Sequence, residues 1–401
     1  MNIRKIVNNK IVRKIIILGC SFLSFLNIFI PKKKNRVLFY DSMGETFYDN
    51  SRTLFEFMKD NNYQQKYEIV CCIPSFKNYI YLKEKNIKVV GVIKGVYYFL
   101  TSKYMFYSYA SMRIKPTKQQ IVVNQWHGTP LKRIANIKKD KVAENENRNY
   151  FTYTLSASDY FIDIMAEAFN CTSKQILVLG HTRNDLLFSK TKSFSLLEIE
   201  KEQYAKTILW MPTFRVSKDH RFVDIDNIDQ LNNTMLPLFK TEEEIICFNE
   251  YLKAKNIFFV IKTHTYSVFK KINYSNIAFY TSEDLEIKGI QLYEFVKEFD
   301  ALLTDYSSIY FDYLLLDRPI GFTVDDYNSY NENRGFSVEN ALDFMPGHHI
   351  HTIEELLSFC DDVIDNKDNY KEKRNKIKNL SNKYQDNNNC LRLLKYVDIQ
   401  L

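Results

Sequence analysis

Short apolar runs alternate with amphipathic segments along most of this chain. An apolar run of four to eight residues bounded by polar or turn residues is typical of a buried strand, whereas apolar positions three or four apart are typical of a helix. The predicted strands lie at 36–41, 87–93, 121–125, 174–180, 207–212, 256–263, 300–305 and 318–323. Because helical patterns separate these strands, the alternation predicts repeated βα units and mostly parallel sheets.

Two helical patterns are clear in the first half of the chain. SRTLFEFMKD (51–60) follows the first strand, and 156–170 places Phe161, Ile164, Met165 and Phe169 on one face. A polar stretch over 189–204 interrupts the alternation, which then restarts. The sequence therefore predicts an α/β fold with two doubly wound domains, 32–195 and 196–401, after an N-terminal segment, 1–31. We also expect an insertion with one helix over 220–250 and a helical tail from about 365.

The N-terminal segment carries an apolar run of about 16 residues between Arg13–Lys14 and Lys32–Lys34. As a helix this run is ~24 Å long, which is shorter than the ~30 Å hydrocarbon core of a bilayer. No small-residue cleavage site follows it, which argues against a secretory signal. Lysines at its end suit anionic lipid on the cytoplasmic leaflet, so residues 1–34 are expected to lie on the membrane. A spanning helix and a helix packed on the protein or on a partner stay open.

Charge and cysteine content narrow the function classes. The first 40 residues hold nine Lys or Arg and no acid, more than the whole chain's net charge of +7. The positive charge is thus local, which argues against a nucleic-acid-binding body. The seven cysteines form no CxxC pair, so neither a disulfide framework nor a zinc ribbon is indicated and a reducing compartment fits best.

The loop after the strand at 121–125 reads QWHGTPLK. Ligands of open α/β sheets bind at the carboxyl ends of strands, so His127 stands where a ligand would be held. Its ordinary pKa near 6.5 suits proton transfer. We expect Gly128 to allow close backbone approach, Thr129 and Pro130 to open a helix whose positive end faces an anion, and Lys132 to add charge. A purely structural histidine is the alternative.

Two further loops carry candidate phosphate ligands. GHTRND (180–185) could place the guanidinium of Arg183 on a phosphate, and the alternative is a surface pair between Arg183 and Asp185. WMPTFR (210–215) offers Pro212, Thr213 and Arg215 just past a strand, a weak signal by itself.

Another loop reads IKTHTY (261–266). Lys262 and His264 are two residues apart in an extended segment, so their side chains point to the same side. This pattern offers a cation beside an acid or base, and two unrelated side chains at a strand end are the alternative.

The most informative stretch is LLTDYSSIYFDYLLLDRPIGF, 302–322. We expect the strand to end at Thr304, Asp305 to begin the turn, and Ser307 and Ser308 to open a helix whose free N–H groups take a phosphate. Asp312 lies one helical turn after Ser308 and is predicted to face the same way. A simple N-cap accounts for one of the serines.

Other chemistry has weaker signals. The chain has no Walker A, GxGxxG, GxSxG or HExxH motif. GHHIH (347–351) carries three histidines but lacks Cys or carboxylate ligands at zinc-site spacing, so it is predicted to be a solvated loop. No metal site and no cofactor are predicted.

Taken together, the loops resemble the motifs of a known family. WHGTPLK, GHTRNDLL, MPTFR, KTHTY and LLTDYSSIYFDYLLLDRPIGF with a later RGF are similar, in this order, to motifs of the CDP-glycerol glycerophosphotransferases of teichoic acid synthesis and their CDP-ribitol relatives. PKKKNRVLFY and DNSRTLFEFM also resemble the start of the acceptor-side domain. The resemblance covers about residues 31–390. His181 and Thr182 depart from the family pattern, and the extra N-terminal region of long polymerases is absent.

The resemblance implies a GT-B fold with the active site in a cleft between two Rossmann-like domains. It implies that the C-terminal domain holds the CDP-polyol and that the acceptor is a lipid-linked saccharide or polyol phosphate at the cytoplasmic membrane face. It places catalytic histidines at His127 and His264. With the loop analysis, the substrate-binding positions are Trp126, Gly128, Thr129, Pro130, Lys132, Arg183, Pro212, Thr213, Arg215, Lys262, Thr263, Asp305, Ser307, Ser308 and Asp312.

Several alternatives remain open at this point. They are a ribitol-phosphate transferase, a capsule enzyme that moves another CDP-polyol, a sugar-transferring GT-B enzyme, and a catalytically silent scaffold of a polymer-synthesis complex. The histidines could also exchange the roles of base and phosphate stabiliser. No nucleic-acid partner is expected, and homo-oligomer formation is left open.

Overall fold

The computed structural model describes residues 10–41, 47–137, 148–212, 236–262 and 274–401, with side chains from Ile15 onward. The chain folds into two compact units. Unit 1 consists of Met1–His127, Asn145–Asp185 and Asp386–Leu401, and unit 2 of Gly128–Glu144 and Leu186–Gln385. Each unit contains one parallel sheet, which confirms the predicted α/β class.

The described part of unit 1 holds a seven-stranded sheet with the order β3-β2-β1-β4-β5-β6-β7. Every neighbouring pair is parallel. Its strands are β1 (Lys33–Tyr40), β2 (Glu68–Cys72), β3 (Ile87–Val90), β4 (Ser102–Tyr107), β5 (Ile121–Asn124), β6 (Tyr153–Ser156) and β7 (Ile176–Val178). Because the order reverses at β1 and β4, the loops after these two strands lie at the switch point where doubly wound sheets bind ligands.

The described part of unit 2 holds a six-stranded sheet with the order β10-β9-β8-β11-β12-β13, again with parallel pairs. Its strands are β8 (Lys206–Met211), β9 (Ile257–Lys262), β10 (Ile277–Tyr280), β11 (Ala301–Thr304), β12 (Ile320–Thr323) and β13 (His348–Ile350). Strands β8, β9 and β11 are adjacent and parallel, so their carboxyl ends share one edge of the sheet.

Helices connect the strands and cover both sheets. They are α1 (Lys10–Leu26), α2 (Asp49–Asp60), α3 (Val92–Thr101), α4 (Ile162–Phe169), α5 (Ser193–Leu196), α6 (Glu242–Ala254), α7 (Ser282–Ile287), α8 (Leu292–Val296), α9 (Ile309–Tyr313), α10 (Tyr327–Asn333), α11 (Ile353–Ile364), α12 (Lys371–Ser381) and α13 (Asn389–Tyr396). In each unit, one face of the sheet packs against helices in a large core, and the strand residues on the opposite face, such as Leu38 and Leu209, are buried as well. This burial is what near-continuous apolar strands require.

The strand predictions are confirmed where the apolar run is long. One strand prediction and one loop prediction are corrected. The run at 87–93 is a strand only to Val90 and continues as helix α3 after Gly91, and the GHHIH stretch, predicted to be a solvated loop, contains β13. Strands β2, β4, β6 and β10 were not predicted; β4 and β6 mix polar and aromatic residues, and β10 is a run of only four residues. The expected helix within 220–250 is present as α6, whereas 213–235 lies outside the described residues.

The C-terminal tail is helical, as predicted, but it returns to unit 1. Asp185, at the end of the second segment of unit 1, caps α13: its carboxylate accepts hydrogen bonds from the backbone N of Asn389 (2.9 Å) and of Cys390 (2.8 Å). The chain passes from unit 1 to unit 2 after Asp185, ten residues before the boundary expected at 195/196. The C-terminal part of the predicted domain 196–401 thus belongs to unit 1.

Helix α1 exposes its apolar residues. Ile15, Leu18, Phe22 and Phe25 are each more than half exposed, and no helix in the described residues is long and apolar enough to cross a membrane. The opposite, polar side of the helix contacts the loop before β5, where Ser24 Oγ accepts a hydrogen bond from Lys115 N (2.9 Å). Unit 1 therefore holds the helix by its polar face and leaves the apolar face uncovered.

Candidate functional site

His127 follows β5 in a turn whose backbone is strained. Trp126, the residue before it, has φ +55°, a conformation that is costly for a bulky side chain. Two hydrogen bonds hold it there: Trp126 N donates to Asn124 Oδ1 (3.0 Å), and Asn50 Nδ2 donates to Trp126 O (2.9 Å). Gly128 has φ +136°, which favours glycine. Strain of ~1–3 kcal/mol at such a residue persists only where the surroundings enforce it, as is common at functional sites.

Aromatic rings enclose the imidazole of His127. The Tyr109 ring stacks on it with centroids 5.0 Å apart and planes 14° apart, and the Trp126 ring centroid lies 3.8 Å away. Burial lowers the pKa of His127 to about 4, an effect that the Asp49 carboxylate opposes and the Arg183 guanidinium reinforces. The imidazole is therefore neutral near pH 7, the form that can accept a proton.

Arg183 connects two parts of this site. Its Nη1 donates to Asp49 Oδ1 (2.7 Å) and to the backbone O of His127 (3.0 Å). The alternative of a surface pair with Asp185 is wrong, since Arg183 is only 5% exposed and Asp185 caps α13. The contact of Arg183 with a phosphate stays a prediction. We call His127, Trp126, Tyr109, Asp49 and Arg183 the imidazole cluster; all five lie in unit 1.

The residues after His127 do not form the predicted helix. Residues 128–134 are irregular, and a short 3₁₀ turn begins only at Ala135. The segment instead pairs antiparallel with the RGF stretch: Ser337 N donates to Leu131 O (2.8 Å), and Ser337 Oγ donates to Lys132 O (2.7 Å). No helix dipole therefore acts at Thr129 and Pro130.

Most side chains of residues 128–132 are buried or contact other residues of unit 2. Thr129 is 2% exposed and Pro130 is buried. Lys132 Nζ lies 5.5 Å from the centroid of the Tyr330 ring, a distance suited to a cation–π contact. Gly128, Thr129, Pro130 and Lys132 belong to unit 2, so the chain changes units directly after the histidine.

Three adjacent strands of unit 2 end side by side. Met211 pairs with Thr304 across β8 and β11, and Trp210 pairs with Ile261 across β8 and β9. Pro212, Lys262 and Asp305 therefore lie along the carboxyl edge of the sheet, and we call these three residues the strand-edge cluster. The strand register thus places these three candidate residues at one edge of the sheet.

Lys262 is the cation of the strand-edge cluster. It is 6% exposed, and its Nζ donates to Ser282 Oγ (2.9 Å). Burial lowers the pKa of Lys262 to about 8. A buried ammonium group favours an anionic ligand, because the negative charge of the ligand compensates for the stabilising hydration that the group has lost.

Asp305 shapes the turn after β11, since its Oδ1 accepts a hydrogen bond from Ser307 N (3.0 Å). Ser307 and Ser308 are partly exposed, and Ser308 precedes α9 without capping it through its side chain. Asp312 does not face the same way as Ser308: it is fully buried and accepts a hydrogen bond from Tyr293 Oη (2.5 Å). This carboxylate is committed to the interior of unit 2.

Four candidate residues, Thr213, Arg215, Thr263 and His264, lie outside the described residues. Two residues of the imidazole cluster were missed from the sequence. Asp49 stands directly before a helical pattern that follows a strand, a signal that could have drawn attention to it. Tyr109 gave no signal, because its role depends on the neighbouring strands. Within the described ranges, no group of three His, Cys, Asp or Glu residues is arranged to hold a metal ion.

Comparisons with known proteins identify the same family as the motifs do. The family model described as CDP-Glycerol:Poly(glycerophosphate) glycerophosphotransferase matches residues 22–398. The teichoic acid poly(glycerol phosphate) polymerase of Bacillus spizizenii is 27% identical over 374 residues, covering 86% of this chain and 87% of the relative. The teichoic acid glycerol-phosphate primase of Bacillus subtilis is 27% identical over 380 residues, covering 88% and 90%. The solved wall teichoic acid polymerase TagF has a similar fold, with a TM-score of 0.70 at 20% identity and coverage of 98% and 96%.

Proposed function

Because the chain belongs to the CDP-glycerol:poly(glycerophosphate) glycerophosphotransferase family, we propose that it transfers glycerol phosphate from CDP-glycerol to a hydroxyl of a lipid-linked acceptor in teichoic acid or capsular polymer synthesis. The observation that carries the proposal is the environment of His127. Burial keeps its imidazole neutral, and the buried Arg183 donates a hydrogen bond to its backbone oxygen. A neutral imidazole on a strained, well-fixed turn is suited to remove a proton from an acceptor hydroxyl.

The transfer requires an in-line exchange of bonds at the β-phosphorus. The acceptor oxygen forms a bond to this phosphorus, the bond from the phosphorus to the bridging oxygen breaks, and CMP leaves with the bonding electrons. His127 takes the proton of the acceptor hydroxyl. Charge on the phosphate oxygens is matched by Lys262 and, as predictions, by His264 and Arg183. The opposite assignment of the two histidines remains the alternative.

The donor site is proposed at the strand-edge cluster. Lys262 and the polar turn after β11 with Ser307 and Ser308 are suited to phosphate oxygens, since they offer a buried ammonium and hydroxyls that are not used as helix caps. The GT-B cleft that the resemblance implies, and the position of His264 in it, stay predictions.

A panel of CDP-polyols tests the proposal. Purified full chain is incubated with CDP-glycerol, CDP-ribitol or a nucleotide sugar and membrane acceptor, and CMP release and product length are followed. CMP release with CDP-glycerol supports the proposal. Turnover with CDP-ribitol alone would assign the ribitol reaction, release of a nucleoside diphosphate would assign sugar transfer, and absence of turnover with all donors would favour the scaffold.

Replacing Lys262 by methionine is expected to raise the KM for CDP-glycerol by about 10- to 100-fold near pH 7, since a charge-assisted hydrogen bond contributes ~1.5–3 kcal/mol. The wild-type KM should itself rise as pH increases through about 8, because the free lysine then loses its proton. The Lys262→Met variant should lack this rise. Initial rates between pH 6.5 and 9.5 give both results.

The control for this measurement is Lys288→Met, which removes a half-exposed lysine of unit 2 that has no assigned role. Its KM and pH dependence should match those of the wild type. A Lys262→Met enzyme with the wild-type KM throughout the pH range would remove Lys262 from the donor site.

Membrane attachment through residues 1–34 is the second part of the proposal. It is supported by the exposed apolar face of α1, whose polar face is already used by unit 1, and by the basic residues on either side of the helix. An apolar helix face flanked by lysines fits the interface of an anionic bilayer, and this position would keep the enzyme at the cytoplasmic face beside its lipid-linked acceptor.

The double variant Phe22→Glu/Phe25→Glu is expected to lower binding to phosphatidylglycerol vesicles at least 10-fold, because burying one phenylalanine contributes ~1.5–3 kcal/mol. Vesicle co-sedimentation measures this. Ile287→Glu, which places the same charge on an exposed apolar residue of α7 in unit 2, serves as the control and should bind like the wild type. Equal binding of all three proteins would contradict attachment through α1.

A further inference from the structure

We propose that Asp49 and Tyr109 are positioning residues that fix the ring and the backbone of His127 together. The proposal rests on the proposed function for its kinetic consequence, but its geometry stands independently of which donor the enzyme uses. Neither residue belongs to a sequence motif singled out for chemistry. Asp49 is the first residue of the helix that follows β1, and Tyr109 lies in the loop after β4, so both are at the switch point of the unit 1 sheet.

Asp49 is the link between two contacts of His127. Its Oδ2 accepts a hydrogen bond from Tyr109 Oη (2.9 Å), and its Oδ1 accepts one from Arg183 Nη1 (2.7 Å). The side chain is 5% exposed, and the residue has φ +64° at the start of α2. A buried carboxylate that accepts hydrogen bonds from both a hydroxyl and a guanidinium is held rigidly. If it moved away from either donor, its charge would be left partly unpaired in a nonpolar environment.

The two donors contact different parts of His127. Tyr109 lies flat on the imidazole, at 5.0 Å between ring centroids, whereas Arg183 donates to the carbonyl oxygen of the same residue at 3.0 Å. One carboxylate therefore orients both the side chain and the main chain of the histidine. A shift of either donor would rotate the imidazole relative to its turn, and a misplacement of about 1 Å can lower a rate ~10²-fold.

The charged and titratable groups around His127 come from several elements. Asp49 precedes the body of α2, Arg183 and His181 lie in the loop after β7, and Tyr48 contacts Tyr109. Asp49 raises the pKa of His127, whereas Arg183 and His181 lower it, and burial has the largest effect. Asp49 and Arg183 form an ion pair, and their charges act on the pKa of the imidazole in opposite directions.

The test compares Tyr109→Phe with Tyr109→Leu in the full chain. Phenylalanine keeps the ring on the imidazole but cannot donate to Asp49, and leucine removes the aromatic face as well. Histidines are labelled with ¹⁵N, and the His127 signal is assigned by its absence in His127→Gln. The imidazole is titrated by NMR, and kcat and KM for CDP-glycerol are measured from CMP release. Tyr313→Phe, which removes one buried hydrogen bond in unit 2, controls for general loss of stability.

We expect Tyr109→Phe to lower kcat on the order of 10-fold without changing KM, while His127 titrates as in the wild type. Tyr109→Leu should lower kcat further, on the order of 100-fold, and move the titration of His127 toward its ordinary range, because the imidazole becomes more hydrated. If both variants keep the wild-type titration and lose no more kcat than Tyr313→Phe, the positioning role is wrong. The titration needs no substrate, so it decides the geometric part even if no CDP-polyol supports turnover.

Discussion

Replacing His127 by alanine is expected to lower kcat by on the order of 10²- to 10⁴-fold, the usual contribution of a general base. The donor KM should change little, because the imidazole acts on the acceptor hydroxyl and the donor is proposed to bind at the strand-edge cluster. CMP release at saturating CDP-glycerol and acceptor measures the loss. Since burial lowers the pKa of His127 to about 4, the activity governed by this residue should fall only below about pH 5.

His351→Ala is the matched control, because it removes an exposed histidine of unit 2 that has no role in the proposed reaction. It should keep the wild-type kcat. Full turnover by His127→Ala would exclude His127 as the base and leave the opposite assignment, with His264 as the base, to be tested in the same way.

Replacing Arg183 by methionine should lower the free energy of unfolding of the protein by about 3–5 kcal/mol, the cost of removing one partner from a buried ion pair. Asp49 would keep its charge in a site that is 5% exposed and would lose one of its two hydrogen-bond donors. The backbone oxygen of His127 would lose a donor as well. Urea unfolding followed by circular dichroism measures the change.

The double variant Asp49→Asn/Arg183→Met separates the cost of the unpaired charge from other effects of the substitution. We expect it to regain part of the stability lost in Arg183→Met, because no buried charge is left unpaired. Lys255→Met breaks an exposed pair with Asp361 and should leave the unfolding free energy nearly unchanged. An Arg183→Met protein as stable as the wild type would show that the pair does not hold unit 1 together.

Strands β8, β9 and β11 illustrate what could be predicted from the pattern. Their apolar runs are long and bounded by polar residues, so the strands and the residues at which they end were located within a few residues. The parallel arrangement then placed Pro212, Lys262 and Asp305 at one edge. Strands β2, β4, β6 and β10 were missed. In β4, the run SKYMFY mixes polar and aromatic residues, although most of its side chains are buried.

Contacts between distant segments could not be predicted. The QWHGTPLK loop was expected to open a helix, yet residues 131–133 pair with the RGF stretch about 200 residues later. Asp312 was placed on the same face as Ser308 by helical spacing, but α9 is a single short turn whose buried side meets Tyr293. Local spacing gives the direction of a side chain only while the element continues regularly.

The sequence by itself determined the α/β class, the order of the candidate loops along the chain and the position of His127 in the loop directly after β5. These features depend on local periodicity, on the residues that end strands and on short motifs, and each of these involves residues that are close together in the chain. The tertiary structure decided that Arg183 pairs with Asp49, that Tyr109 lies on His127 and that α13 returns to unit 1. These contacts join residues that are far apart in the chain, and they depend on strand order and burial, which no local pattern specifies.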